Sequence, residues 1–151
     1  MIQDTAQNRE NWKGFLLATR RCWLATAKVL ADAEINIVDY DMLNTLNNVR
    51  GKHMFISELA ETVGLTRSGA TRAVDRMHSL GFMERSHSRD DRRHTIVKLT
   101  DRGVRQLKAL QGPLTEALQV TMTSHFTDEE LETVLGIIGQ QQSRDHPEDT
   151  E

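Results

Sequence analysis

The sequence predicts a mainly α (α+β) fold: a helix-turn-helix followed at once by a β-hairpin, with long helices flanking the pair at both ends. Three observations predict it. Residues of high helix propensity (Ala, Leu, Glu, Arg, Gln) fill long stretches, and the only prolines in 151 residues are Pro113 and Pro147. Apolar residues recur at helical spacing near both ends of the chain. Between those ends, two helical segments meet at Gly64, and two strand-like segments flank the charged run His87–His94.

Residues 1–10 are polar and expected to fray. From there the apolar positions Trp12, Phe15, Leu16, Trp23, Leu24, Ala27 and Leu30 mark a long first helix, broken at Asp32 to Asn36. A second helix is expected at about Asp39–Val49, with Tyr40, Leu43 and Leu46 on one side and Gly51 as its stop. A third, Ser57–Val63, turns Leu59, Ala60 and Val63 inward and ends at Gly64. Thr66 suits the N-cap of a fourth, Arg67–Leu80, and Gly81 the position after its end. Strands follow at Phe82–Ser86 and Thr95–Leu99, joined by a polar loop. Thr100 should cap a fifth helix with Leu107, Leu110, Leu114, Leu118 and Met122 on one face, kinked at Gly112-Pro113. Thr127-Asp128-Glu129-Glu130 reads as a capping box for a last helix carrying Leu131, Val134, Leu135 and Ile138. The tail from Gln141 is polar and acidic.

This order is that of a winged helix-turn-helix. The expected organisation is an N-terminal dimerisation helix (1–36), a winged helix-turn-helix lobe (37–103), C-terminal dimerisation helices (104–142) and a disordered acidic tail (143–151). The terminal helices are apolar on one face but sit at opposite ends of a small module with little core for both. A second copy interleaving across a two-fold axis would cover them, so a homodimer is expected.

No apolar run approaches the roughly 20 residues of a membrane span, so no membrane partner is expected. The start, Met1-Ile2-Gln3-Asp4, lacks the basic and apolar regions of a secretory signal. The single Cys22 excludes an internal disulfide framework and suits a reducing, cytoplasmic compartment. Net charge is −3, which alone argues against a polyanion. Yet Arg67–Lys98 holds eight Lys/Arg against four acids, a net +4 that leaves −7 for the rest. A basic middle in an acidic chain is the charge footprint of a local polyanion site, although a solvated charged face would read the same way.

On a helical wheel Ala70, Ala73, Val74, Met77 and Leu80 of the fourth helix fall in one arc. Arg67, Ser68, Thr71, Arg72, Asp75, Arg76, His78 and Ser79 fill the other side. Small residues near the N-terminus, with Thr66 as cap, allow close approach to a groove, and free N–H groups there favour phosphate. Arginine reads guanine bidentately, and Ser or Thr hydrogen-bonds either way. Double-stranded DNA is therefore the expected partner, with Arg67, Ser68, Thr71 and Arg72 reading bases and Arg76 on phosphate. The hairpin tip, Ser88-Arg89-Asp90-Asp91-Arg92-Arg93, offers Arg89, Arg92 and Arg93 to DNA, with a carboxylate holding one arginine in shape.

Ile56-Ser57-Glu58-Leu59-Ala60, Gly64-Leu65-Thr66-Arg67-Ser68, Arg72-Ala73-Val74-Asp75-Arg76-Met77, Leu80-Gly81-Phe82-Met83-Glu84-Arg85 and Asp90-Asp91-Arg92-Arg93 through Val97-Lys98-Leu99-Thr100 together resemble the MarR family of bacterial transcription regulators, continuously over about residues 38–104. The resemblance implies a triangular homodimer on a pseudo-palindromic operator, acting as a repressor and released by a small ligand or oxidant. It makes Asp91 the structural acid of the wing and Arg93 its minor-groove arginine. His94 stands where the family usually has a small residue. The family also suggests a pocket for a small aromatic or phenolic effector, which Trp12, Arg20, Arg21, Trp23 and Tyr40 would line; the alternative is core aromatics and solvated arginines.

Cys22 lies 18 positions before Tyr40, closer than the spacing of the family's peroxide-sensing branch, and reads as a packing residue beside Trp23. A redox-responsive regulator acting through Cys22 is the alternative. The six histidines are scattered, and no His-x₃-His or Cys-x₂-Cys pair suggests a metal. No Gly-rich phosphate loop or nucleophile elbow suggests an enzyme or a cofactor. A second rival is a protein-interaction module on a winged fold, which loss of the basic side chains would mark; here they are present.

Overall fold

The computed structural model describes residues 5–87, 95–123, 126–133 and 135–136. Its elements run α1 (Ala6–Asp32), α2 (Ile37–Asn48), a 3-10 turn (Arg50–Lys52), β1 (His53–Phe55), α3 (Ile56–Thr62), α4 (Arg67–Ser79), β2 (Met83–His87), β3 (Thr95–Leu99) and α5 (Asp101–Thr123). This is a mainly helical chain with a three-stranded antiparallel sheet, the winged helix-turn-helix the sequence predicts.

Local chemistry explains most boundaries. Asn36 caps α2 two residues earlier than the expected Asp39 start: its Oδ1 accepts from the Asp39 N–H (3.0 Å), and its own N–H donates to Asp39 Oδ2 (3.0 Å). At the end of α3, Gly64 takes φ +67° and Leu65 N–H reaches back to the Ala60 carbonyl (2.8 Å). Gly81 ends α4 in the same way, at φ +75°, with Phe82 N–H on the Met77 carbonyl (2.9 Å). Both are left-handed caps that residues with a Cβ adopt at a cost. Thr66 caps α4 through the Gly69 N–H (3.2 Å), and Thr100 caps α5 through the Gly103 N–H (3.0 Å). Pro113, where a kink is expected, lies inside α5, which continues to Thr123.

Strand β1 was not legible in the sequence. Its three residues pair antiparallel with β3 (His53↔Lys98, Met54↔Val97, Phe55↔Ile96), giving the order β1-β3-β2. The hairpin itself pairs Met83↔Leu99 through His87↔Thr95.

The chain divides into two compact units, Thr26–Thr115 and the pair Met1–Ala25 with Glu116–Glu151. The first is wider at both ends than the expected 37–103 lobe, because Leu30 from α1 and Leu107, Leu110 and Leu114 from α5 are buried in it. Its core joins these to Met42, Leu43 and Leu46 of α2, Leu59 of α3, Val74 and Met77 of α4, and Met83 and Val97 of the sheet. The second unit holds every large hydrophobic found exposed among the described residues: Trp12, Phe15, Leu16, Leu17, Trp23, Leu24, Leu118, Val120 and Leu135. Within it, residues 128–133 are helical, with Thr127 and Glu130 in the expected reciprocal cap. No helix of the described residues is long and apolar enough to cross a membrane.

Candidate nucleic-acid interface

Helix α4 divides as the wheel predicts. Ala70, Ala73, Val74 and Met77 are buried, and Leu80 packs partly against the core. Arg67, Ser68, Arg72, Asp75 and Arg76 are exposed, and Thr71 is half-buried. Burying the apolar stripe against α2 and α3 therefore turns the basic side outward.

The exposed side chains are not equivalent. Among the described residues, the side chains of Arg67 and Arg72 make no hydrogen bond or ion pair and so stay open to an external partner. Thr71 Oγ1 donates to the Arg67 carbonyl (2.9 Å), which leaves its lone pairs as acceptors. Thr66 Oγ1 already accepts from Gly69 and lies 3.3 Å from Ser68 Oγ, so the first turn is held in shape by its own hydroxyls.

Two of the charges are committed inside the fold. Arg76, expected on phosphate, donates from Nε to Asp39 Oδ2 (3.0 Å) and from Nη2 to Asp39 Oδ1. The Asp39 carboxylate beside it holds the guanidinium still more firmly protonated than usual. The Arg76 side chain nonetheless remains 43% exposed, while Asp39 is fully buried. Asp75 pairs with Arg85 of β2, which cancels the acid on the outward face of α4. Sequence reasoning missed both Asp39 and Arg85 as parts of this surface. For Asp39 a signal existed, since Asn36 three residues earlier makes the capping pattern; for Arg85 only the strand register reveals it. Near the end of α4, His78 Nδ1 lies 3.0 Å from the Met83 carbonyl.

Arg89, Asp91, Arg92 and Arg93, expected on the wing, lie with His94 outside the described residues. What is described is the hairpin base, β2 and β3, which springs directly from the end of α4.

The expected effector residues are not gathered within one unit. Trp12 and Trp23 are 52% and 57% exposed on α1, where Arg20 and Arg21 are also exposed, so the reading of these tryptophans as core is corrected. Tyr40 belongs to the other unit, half-buried on α2 against the core. Cys22 is half-buried, and its Sγ lies 3.2 Å from Met122 Sδ, a partner other than the Trp23 expected. No cluster of His, Cys, Asp or Glu among the described residues could hold a metal ion.

A family model described as the MarR family matches residues 34–94, from just before the cap of α2 to the residue before β3. The chain is 29% identical over 121 residues to the transcriptional repressor MprA of Escherichia coli K12, covering 76% of this chain and 69% of that one. Across the curated relatives that come first, the matched stretch spans 65–71% of their length. Among solved structures the fold resembles Sco3205, a MarR family transcriptional regulator from Streptomyces coelicolor in complex with DNA (TM-score 0.74, 22% identity, covering all of this chain and 95% of that one). It also resembles BpsR of Bordetella bronchiseptica, whose DNA binding is regulated by 6-hydroxynicotinic acid (TM-score 0.68, 16% identity, covering 87% and 98%). With these sequence blocks on this arrangement of helices and sheet, the chain resembles the MarR family of transcriptional regulators over residues 34–94 and shares the winged helix-turn-helix fold of its solved members.

Proposed function

We propose that this protein is a sequence-specific DNA-binding transcription regulator of the cytoplasm, a repressor that binds a pseudo-palindromic operator as a homodimer. One observation carries the reading: the outward face of α4 presents Arg67 and Arg72 unpaired among the described residues, at a hydroxyl-capped helix start, while the acid on that face is cancelled by Arg85. A helix of this chemistry fits the major groove, where arginine reads guanine and the N-terminal amides take phosphate. MprA supports the repressor reading and Sco3205 the DNA partner.

The wing completes the reading. Arg93 enters the minor groove beside each half-site, Asp91 holds the loop that presents it, and Arg89 and Arg92 add phosphate contacts. The large apolar residues exposed on α1 and α5 support the homodimer, since such side chains gathered on a surface mark an interaction site. BpsR supports release by a small aromatic or phenolic effector, for which Trp12, Arg20, Arg21, Trp23 and Tyr40 remain the proposed contacts.

The test is a gel shift against random and selected duplexes at two salt concentrations. A regulator gives a salt-sensitive, sequence-dependent shift. A protein-interaction module on the same fold gives neither, and that result would remove the reading.

A further inference from the structure

Among the described residues, Asp39 is the one polar side chain that is fully buried. Its role in capping α2 does not require this. Glu58 makes the equivalent bond to the Phe55 N–H (3.1 Å), and Glu130 to the Thr127 N–H (2.9 Å), both from exposed positions. What burial adds is the two-point pair with Arg76, 37 residues away on α4. A fork of two N–H donors on two carboxylate oxygens fixes rotation as well as distance, which a single hydrogen bond or a lysine does not.

The rotation of α4 is set coarsely by which face is buried, and its other side-chain ties, Asp75 to Arg85 and His78 to the Met83 carbonyl, run to β2 rather than to α2. Its buried face is Ala70, Ala73, Val74 and Met77, and apolar burial holds a helix to the core without direction. Arg72 lies one turn before Arg76, and Arg67 more than two turns. A roll of about 20° moves an arginine tip by roughly 3 Å, a whole hydrogen-bond length.

We propose that Asp39 is a positioning residue that determines sequence specificity: through Arg76 it sets the rotation of α4, and so which base edges Arg67 and Arg72 reach, without touching DNA. The proposal rests on the reading of α4 as the DNA-reading helix, and the two fail differently. Wild type, Asp39→Asn, Arg76→Lys and the double variant are titrated on a duplex selected by the wild type and on a scrambled duplex. The titrations use several salt concentrations, at a temperature where circular dichroism shows the variants folded.

Both single variants should lose roughly three- to thirtyfold in the ratio of selected to scrambled affinity, and the double variant no more than the worse single. The salt slope should not change, because no phosphate contact is removed. Scrambled-duplex affinity should hold or rise slightly for Asp39→Asn, which deletes a negative charge. Should Asp39→Asn not fold, Arg76→Lys carries the test, since it keeps the charge and loses the fork. An unchanged ratio overturns the proposal. So does equal loss on both duplexes with a shallower salt slope, which would make Arg76 a direct phosphate contact. A wild type that prefers no duplex overturns the reading of α4 beneath it.

Discussion

At the scale of single residues, the outward face of α4 sorts into side chains that are free and side chains that are spent. The side chains of Arg67 and Arg72 have no partner among the described residues, so their donors meet a base edge without first breaking a bond. Arg72→Ala should cost ~1–3 kcal/mol on the preferred duplex and relax preference at one base pair, read by titrating single-substitution operators. Arg85 works differently. Its pair with Asp75 is exposed and should add no more than ~1 kcal/mol to folding, but it removes a negative charge from the DNA-facing side. Arg85→Ala should weaken binding, and adding Asp75→Asn should restore most of the loss. A double variant as weak as the single would make Arg85 a phosphate contact instead. On the wing, Arg93→Ala should lose most affinity on A·T-rich flanks and Arg93→Lys should recover only part, because an ammonium is more tightly hydrated than a guanidinium.

At the scale of elements, the start of α5 is pressed against the end of α4 and the sheet. Thr100 hydroxyl donates to the Gly81 carbonyl (2.7 Å), and a Cβ at Gly103 would stand 2.5 Å from the Phe82 carbonyl oxygen and 2.6 Å from Leu99 Cδ1. Backbone cannot yield there, so Gly103→Ala should destabilise the protein by about 1–3 kcal/mol, lowering Tm by several degrees in a thermal melt. The cap at Thr127 answers to pH. Its N–H and hydroxyl bind the Glu130 carboxylate and hold it below the usual range. A carboxyl with a depressed folded value contributes above its unfolded value and loses that contribution as pH falls through the folded one. Amides of residues 128–131 should therefore exchange faster, relative to their intrinsic rates, as pH drops below the ordinary glutamate range, and Glu130→Gln should remove that dependence. An exchange profile in Glu130→Gln identical to wild type would show that the carboxylate does not act as the cap.

At the scale of the whole molecule, buried and exposed hydrophobic residues separate by unit. Among the described residues, the core belongs to Thr26–Thr115, and the large exposed apolar side chains to Met1–Ala25 and Glu116–Glu151. A second copy covering that surface would give the protein two-fold symmetry, and two-fold symmetry imposes half-sites whose centres lie about 10 bp apart or slightly more. Leu16→Glu combined with Trp23→Glu should shift sedimentation from dimer to monomer and abolish binding to the full operator. Deleting Thr127–Gln142 should do the same. A variant that stays dimeric with unchanged affinity would place the interface elsewhere.

The sequence by itself determined the order of α1 to α5 and of the two hairpin strands, and most of their ends to within a residue or two. The signals for these act within a few residues: Thr66 and Thr100 as caps, Gly64 and Gly81 in left-handed turns, the apolar stripe of α4 at a helical period. Charge and the blocks from Ile56 to Thr100 also carried the family resemblance and the outward face of α4. Only the tertiary structure decided what depends on residues far apart in the chain. Three residues, His53–Phe55, become a strand because β3 offers an edge, not through their own propensity. The spacing of Asn36 and Asp39 offers a helix cap, but the burial of Asp39 against Arg76 follows from how α2 crosses α4. Arg85 cancels Asp75 only through the placement of β2, and Gly103 is needed only because α5 meets backbone there. The apolar period of α1 was plain in the sequence, but whether one chain could cover it was not. Periodicity tells which face of a helix is apolar, whereas covering that face depends on how much core the rest of the fold supplies.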